Sequence, residues 1–313
     1  MLARLQAGLV FTALGAALGW SAWAWLHGVG AMVWLAGLAL ALLPHAPVLA
    51  LEFVLLAWLG RDAQAPQASP RHLLRAWAGE VVTGLRVFGW RQPFAANFEA
   101  DVPGRAGRTG VVLLHGYVCN RGLWAPWLRR LRQAGVPCQA LTLAPVFGRV
   151  ETWAPQIEAA VLALQHATGR PPLLVGHSMG GLAVRAWLAA QPDAAAADAR
   201  VAGVVTIGTP HQGTWMARLG ATANARQMRR GSAWLAALAA AESPARRALF
   251  TCFYGHADNI VFPATTATLA GADNRHLPGV AHLQMAFAPA VLAEVLRRVG
   301  AAPDAPDPHA LTS

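Results

Sequence analysis

A serine between two glycines directly follows a short apolar run near the middle of the chain. Residues 173–180 read Leu-Leu-Val-Gly-His-Ser-Met-Gly. This G-x-S-x-G pattern places a serine on a sharp turn between a strand and a helix. Gly176 and Gly180 leave room for neighbouring backbone, where a Cβ would clash. A helix-like stretch at 182–190 completes the context, so we predict that Ser178 is a nucleophile. The alternative is an ordinary Gly-Ser loop.

Strands and helices alternate from about residue 98 onward. Apolar runs predict buried strands at 111–114, 139–143, 173–175, 201–207 and 250–254. Helical patterns lie between them at 123–134, 152–167 and 179–190. This order predicts an α/β fold, with a mostly parallel sheet covered by helices on both faces. Functional sites in such sheets lie at the carboxyl ends of the strands.

A nucleophilic serine needs a base, and the base needs an orienting acid. Asp258 fits the acid because it follows the strand at 250–254 and precedes an apolar stretch. Asp273 is the main alternative. Asp193 and Asp198 are weaker alternatives, because they lie in an alanine-rich connection soon after the serine.

His282 fits the base. It lies in a loop, 279–283, that leads into a predicted final helix at 283–299. His276 is the nearest competitor, but it falls in a predicted last strand at 274–277, where its side chain is less free to reach the serine.

Backbone N–H groups are expected to bind the oxyanion that forms during attack on a carbonyl. One is the N–H of Met179, directly after the nucleophile. The other comes from the loop after the first strand, where Gly116 lets the backbone turn and Tyr117 presents its N–H. We expect His115 to form structural hydrogen bonds rather than act as a base.

These motifs together resemble the α/β-hydrolase superfamily, and within it they are most similar to bacterial triacylglycerol lipases and carboxylesterases. They are 114–116, 176–181, 208–214, Asp258 and His282. The resemblance covers about residues 98–300. It implies hydrolysis of an acyl ester or lipid through an acyl-enzyme, with Ser178, His282 and Asp258 as triad and the N–H groups of Tyr117 and Met179 as oxyanion hole. This chemistry needs no cofactor, and the sequence has no metal-ligand spacing.

Other activities remain open beside an esterase or lipase. The same triad serves thioesterases, acyltransferases and amidases. An idle hydrolase fold acting as a membrane interaction module is a further alternative. The stretch 214–247 mixes apolar and basic residues and predicts a small helical cap over the strand ends. Ordinary helices packed on the sheet would give the same pattern.

The first 60 residues are expected to form a transmembrane hairpin or anchor. Residues 5–26 carry no charge and would span about 33 Å as a helix, enough to cross a bilayer. A cleaved signal peptide is the alternative. A second apolar run, 29–59, is interrupted by Pro44 and Pro47, which predicts a broken helix or a re-entrant segment. Within it, Glu52 must face protein or water.

Charge distribution sets the remaining expectations. The net charge is +10, but the arginines are scattered, which argues against nucleic-acid binding and favours contact with anionic lipid. Arginines flank the apolar region on its outside, so both ends should be cytoplasmic, in a bacterial inner membrane. Residues 61–97 read as a linker or amphipathic connector and 301–313 as a disordered tail. The oligomeric state stays open.

Overall fold

The computed structural model describes residues 1–301 of the chain. The strands are β1 (Val111–Leu114), β2 (Cys138–Ala140), β3 (Leu173–His177), β4 (Gly203–Ile207), β5 (Phe250–Tyr254) and β6 (Asp273–His276). The helices are α1 (Leu2–Leu26), α2 (Ala31–Leu42), α3 (His45–Leu59), α4 (Pro70–Arg86), α5 (Gln92–Phe94), α6 (Ala125–Gln133), α7 (Ala154–Thr168), α8 (Met179–Ala189), α9 (Ala194–Asp198), α10 (Ala223–Gln227), α11 (Ala233–Ala240), α12 (Pro244–Ala248), α13 (His282–Met285) and α14 (Pro289–Arg298). The predicted disordered tail lies, from residue 302, outside the described residues.

The sheet confirms the predicted parallel α/β fold. Its order is β2-β1-β3-β4-β5-β6, and all pairings between the described strands are parallel. β2 and β4 are shorter than the runs that predicted them, while β1 and β5 coincide with theirs. The chain passes from β1 to β2 on one side and then crosses to β3 on the other. Parallel sheets bind ligands at such a reversal, at the carboxyl ends of the strands.

Apolar side chains cover both faces of the sheet. On one face Leu113 packs with Trp127 of α6 and Val291 of α14. On the other face Val112 packs in a second cluster with α7 and α8. Successive strand side chains point to opposite faces, so they alternate between the two clusters. Burial on both faces explains why these strands are apolar at nearly every position.

The N-terminal helices carry the predicted apolar runs. α1 has 25 residues and is the one described helix that is long and apolar enough to cross a membrane by itself. α2 and α3 meet at 77°, and they are long and apolar enough to cross a membrane only if the two together form one bent span. The bend lies at Pro44, which restricts the backbone of the preceding residue. The outer surfaces of these helices expose many apolar side chains, including Leu18 and Trp58.

The segment 61–97, predicted as a linker or connector, contains α4, which packs between the N-terminal helices and the α/β domain. The indole N–H of Trp77 donates to the carbonyl of Ala46 in α3 at 3.0 Å. A small apolar core also joins the two parts. It consists of Phe53, Leu56, Ala76, Ala257, Phe262 and Ala281. The N-terminal helices and the α/β domain therefore share a packed interface.

Two regions differ from the expected elements. The single helix predicted at 283–299 is divided into α13 and α14, because Pro289 disfavours helical backbone at the residue before it. The first of these helices also begins one residue earlier than predicted, so His282 is its first residue instead of lying in a loop. The stretch 214–247 forms short helices, and Leu235 of α11 packs in the core cluster that contains α8.

Candidate active site

Ser178 lies on a strained turn between β3 and α8. Its φ of 55° and ψ of −125° fall where L residues are rare. A Cβ on Gly176 would approach the backbone N of Gly181 to 2.5 Å, and one on Gly180 would approach the carbonyl oxygen of Leu114 to 2.5 Å. Close backbone packing therefore leaves no room for a side chain at either position.

Neighbouring strands hold the backbone of Ser178 in place. Its N–H donates to the carbonyl of Ile207 at the end of β4 at 2.7 Å. Its carbonyl accepts from the hydroxyl of Thr209 at 2.8 Å and from the N–H of Gly181 at 3.1 Å. These bonds offset the cost of the unusual backbone geometry.

The structure brings His282 and Asp258 together. Nδ1 of His282 lies 3.0 Å from Oδ2 of Asp258. The other carboxylate oxygen, Oδ1, accepts from the N–H groups of Ile260 at 2.9 Å and Val261 at 2.8 Å. Asp258 is 1% exposed, so these three partners fix the orientation of its carboxylate. Nδ1–H of His282 donates to that carboxylate, which leaves Nε2 as the basic nitrogen.

Two opposing effects act on the pKa of His282. Burial disfavours the charged imidazolium and lowers the pKa, but the carboxylates of Asp258, Glu80 and Glu52 stabilise it. The carboxylates prevail, and the pKa of His282 is raised above its usual value.

The competing acids and histidine lie elsewhere in contacts of their own. Asp273 pairs with Arg275 at 2.7 Å on exposed β6. Asp198 pairs with Arg246 at 2.6 Å. Asp193 accepts from the first N–H groups of α9. His276 hydrogen-bonds to His256 at 2.9 Å.

The loop after β1 lies directly against Ser178. A Cβ on Gly116 would come within 2.9 Å of the Ser178 Cβ, so glycine permits this approach. Met179 is the first residue of α8, and its N–H therefore has no acceptor within the helix. Nε2 of His115 accepts from the N–H of Leu143 at 2.9 Å while Nδ1 lies 2.9 Å from the Gly116 carbonyl. Burial lowers the pKa of His115 to about 4, which keeps it neutral as a structural residue.

A cavity of about 530 Å³ opens above the serine. Ser178, His282, Gly116 and Tyr117 line its floor, together with His177. The walls are mostly apolar side chains of α1, α2, α3, α4 and the π-helical turn that follows α4. They include Leu9, Val10, Leu42, Val48, Leu85 and Phe88. The first 90 residues therefore enclose the site.

No residue of 214–247 lines this cavity within the part of the chain that the structure describes. The N-terminal helices supply the walls of this cavity, and the cap at 214–247 stays a prediction. Near the end of this insertion, Glu242 forms a buried ion pair with Arg185 of α8 at 2.6 Å, which holds that part against the helix layer.

Three residues near His282 were not predicted as part of the site. Glu80 accepts from the N–H groups of Leu283 and Gln284, and Glu52 accepts from the side chain of Asn259. One signal in the sequence points to Glu80, which is the only carboxylate between Asp62 and Glu99. Glu52 gives a similar signal as the lone acid of an apolar run.

Residues 1–301 contain no group of three or more His, Cys, Asp or Glu side chains that could hold a metal ion. Cys119, Cys138 and Cys252 are buried free thiols.

Comparison with known proteins agrees with this architecture. The model of the alpha/beta hydrolase family matches residues 111–311, more than half of the chain. The mature form of Bacillus licheniformis lipase BlEst2 aligns at 17% identity with a TM-score of 0.51, over 58% of this chain and 88% of that one. Aspergillus fumigatus lipase B aligns at 19% identity with a TM-score of 0.55, over 69% of this chain and 59% of that one. No curated protein matches the sequence significantly. The family match includes the parallel sheet and the strand–helix turn that carries Ser178. The chain therefore belongs to the alpha/beta hydrolase family.

Proposed function

We propose that this protein is a membrane-anchored serine ester hydrolase that cleaves acyl esters with an apolar acyl chain. The observation that carries the proposal is the meeting of a strained Ser178 and the His282–Asp258 pair in one cavity with apolar walls. The two similar solved structures, from Bacillus licheniformis and Aspergillus fumigatus, are both lipases, which agrees with this chemistry.

The reaction follows from the roles of these groups. Nε2 of His282 takes the hydroxyl proton as Oγ of Ser178 attacks the ester carbonyl. The N–H groups of Tyr117 and Met179 bind the resulting oxyanion. His282 then gives its proton to the departing alcohol, and an acyl-enzyme forms. His282 then deprotonates a water that attacks the acyl carbonyl. It returns this proton to Oγ of Ser178 as the acyl–serine bond breaks, which releases the acid and the free serine.

Asp258 has a supporting role in this scheme. Its carboxylate accepts the Nδ1–H of His282, which keeps Nε2 free to accept a proton and stabilises the imidazolium that forms.

The apolar cavity suggests the substrate class. Each methylene group of an acyl chain that leaves water for such a cavity gains about 0.8 kcal/mol. The walls come from helices whose outer surfaces are also apolar, which favours a substrate that is itself a lipid. Membrane lipids and other long-chain acyl esters are the substrates that fit these walls.

Contacts at the start of α1 support a hairpin anchor. Gln6 donates to the Gln92 side chain at 3.0 Å and to the Val118 carbonyl at 3.3 Å. Phe11 packs on Phe94 with ring centroids 5.8 Å apart. The N-terminal end of α1 and the catalytic domain therefore share one side of the proposed membrane. The flanking arginines make that side cytoplasmic, at the inner membrane of a bacterium.

The test is hydrolysis of p-nitrophenyl esters of increasing acyl length by the full chain purified in detergent. We expect activity that rises with acyl length and disappears in Ser178→Ala. Equal rates in the two proteins, or none in either, would refute the proposal. A preference for the matching thioesters would move the assignment to a thioesterase.

A further inference from the structure

Glu80 of α4 lies against the segment that carries His282. One carboxylate oxygen accepts the N–H of Leu283 at 2.7 Å, and the other accepts the N–H of Gln284 at 3.1 Å. Glu80 is 4% exposed. Hydrogen bonds from N–H groups to a buried carboxylate are stronger than neutral ones, so Glu80 fixes the two residues after the proposed base.

Glu52 of α3 reaches the same histidine through one intervening side chain. Its carboxylate accepts from Nδ2 of Asn259 at 2.6 Å. Oδ1 of Asn259 in turn accepts from the backbone N–H of His282 at 3.3 Å. Asn259 is fully buried and follows Asp258 directly, so this relay contacts both ends of the Asp258–His282 pair.

We propose that Glu80 and Glu52 are positioning residues for His282, so that the N-terminal helices and the α/β domain form one catalytic unit. This inference rests on the proposed function of Ser178 and His282. Three consecutive backbone N–H groups, at residues 282–284, are held directly or through Asn259 by carboxylates of the N-terminal segment. Such contacts restrict the histidine to the orientation in which it faces Asp258.

The two carboxylates also act on the charge of His282. Four described titratable groups surround its imidazole. Asp258 lies at 3.0 Å and the His177 ring at a centroid distance of 4.8 Å, while Glu80 and Glu52 act on its charge over a longer range. Burial raises the pKa of the Glu80 carboxyl to about 7, so its negative charge is fully present only above that pH. Where they are ionised, the carboxylates of Asp258, Glu80 and Glu52 favour the imidazolium of His282 against the effect of burial. Removing either glutamate charge should therefore make His282 easier to deprotonate.

Two isosteric variants separate the positional effect from the charge effect. Glu80→Gln removes the charge and leaves one acceptor oxygen for two amides. Glu52→Gln removes the charge but keeps an oxygen that can accept from Asn259. Glu158→Gln is the matched control, because Glu158 accepts from Trp187 and Arg200 on a helix face away from the cavity.

In the full chain we expect kcat of Glu80→Gln to fall by about 10- to 100-fold, with little change in KM, because the histidine is misplaced. Glu52→Gln should keep most of kcat. In both variants the acid limb of the pH profile of kcat/KM should shift to lower pH. In Glu158→Gln, kcat and the acid limb should both stay at their wild-type values. The inference would be overturned if Glu80→Gln kept wild-type kcat and the acid limb of its kcat/KM profile did not move. It would also be overturned if kcat fell but the acid limb stayed in place in both glutamate variants. If Glu80→Gln does not fold, the acid limb of Glu52→Gln decides.

Amide hydrogen exchange at residues 279–286 gives a readout that does not depend on activity. We expect faster exchange in Glu80→Gln than in the wild type, and equal exchange would count against the inference. A wild type without Ser178-dependent hydrolysis would refute the proposed function, and the exchange comparison would still decide whether Glu80 holds this segment.

Discussion

Replacing Asp258 by asparagine should nearly abolish activity while leaving the fold intact. In the wild type, Oδ1 accepts from the N–H groups of Ile260 and Val261, and Oδ2 faces Nδ1 of His282 at 3.0 Å. Asparagine has one acceptor oxygen and one NH2 donor. The two backbone N–H groups retain the oxygen, because the flipped amide would leave both donors without an acceptor, at about 1–3 kcal/mol for the buried N–H of Val261.

The amide NH2 of Asp258→Asn therefore points at Nδ1 of His282. The imidazole must then accept at Nδ1 and carry its proton on Nε2, so it cannot take the proton of Ser178. We expect kcat to fall about 10⁴-fold, or about 5.4 kcal/mol in activation free energy, the magnitude of the same change in serine-protease triads.

The assay is p-nitrophenyl ester hydrolysis, with thermal unfolding as the check on folding. Asp273→Asn is the matched control, since Asp273 forms an exposed pair with Arg275 and such pairs contribute about 0–1 kcal/mol. The control should keep wild-type kcat. The reasoning is refuted if Asp258→Asn keeps more than about a tenth of wild-type kcat, or if Asp273→Asn loses as much.

Three further predictions concern the turn, the cavity and the base. Gly180→Ala should lose most activity and about 1–3 kcal/mol of stability, because its Cβ would meet the Leu114 carbonyl at 2.5 Å; unchanged rate and melting temperature would contradict this. Ala13→Trp, in the cavity wall, should shift the preferred acyl chain to shorter lengths, whereas Ala16→Trp, on the outer surface of the same helix, should not; identical acyl profiles would count against an acyl site there. Because the pKa of His282 is raised and the base must be neutral, activity should be lost as pH falls through a value above about 6.5, and a pH–rate profile with its acid limb below that would be inconsistent with the site.

The sheet and the candidate triad were predictable because their signals are local. Strands buried on both faces must be apolar throughout, so β1 and β5 coincide with runs in the sequence. The glycines around Ser178 follow from the geometry of the strand–helix turn. The order of serine, acid and histidine follows from which strands end at the site.

The enclosure of the site was not predictable in this way. Glu80 and Leu283 are 203 residues apart, and their contact depends on how α4 packs on the completed domain. Hydropathy assigned the first 60 residues to a membrane, but apolar periodicity does not distinguish a helix face that contacts lipid from one that lines a cavity. The insertion at 214–247 shows the same ambiguity, because an apolar face can cover a site or pack on α8.

The division of the last helix had a local signal. Proline at 289 disfavours helix at Ala288, so the break between α13 and α14 was readable from the sequence. Its consequence for the site was less evident, since the break makes α13 a short helix that begins with His282 and is held by Glu80.

Covalent labelling of Ser178 tests the central claim most directly. A fluorophosphonate reacts with serines that a neighbouring base activates, and peptide mass spectrometry locates the adduct. The account predicts one adduct, on Ser178, that is absent from His282→Ala and suppressed by a long-chain ester. An adduct on another residue, or active protein that the reagent neither labels nor inhibits, would contradict it.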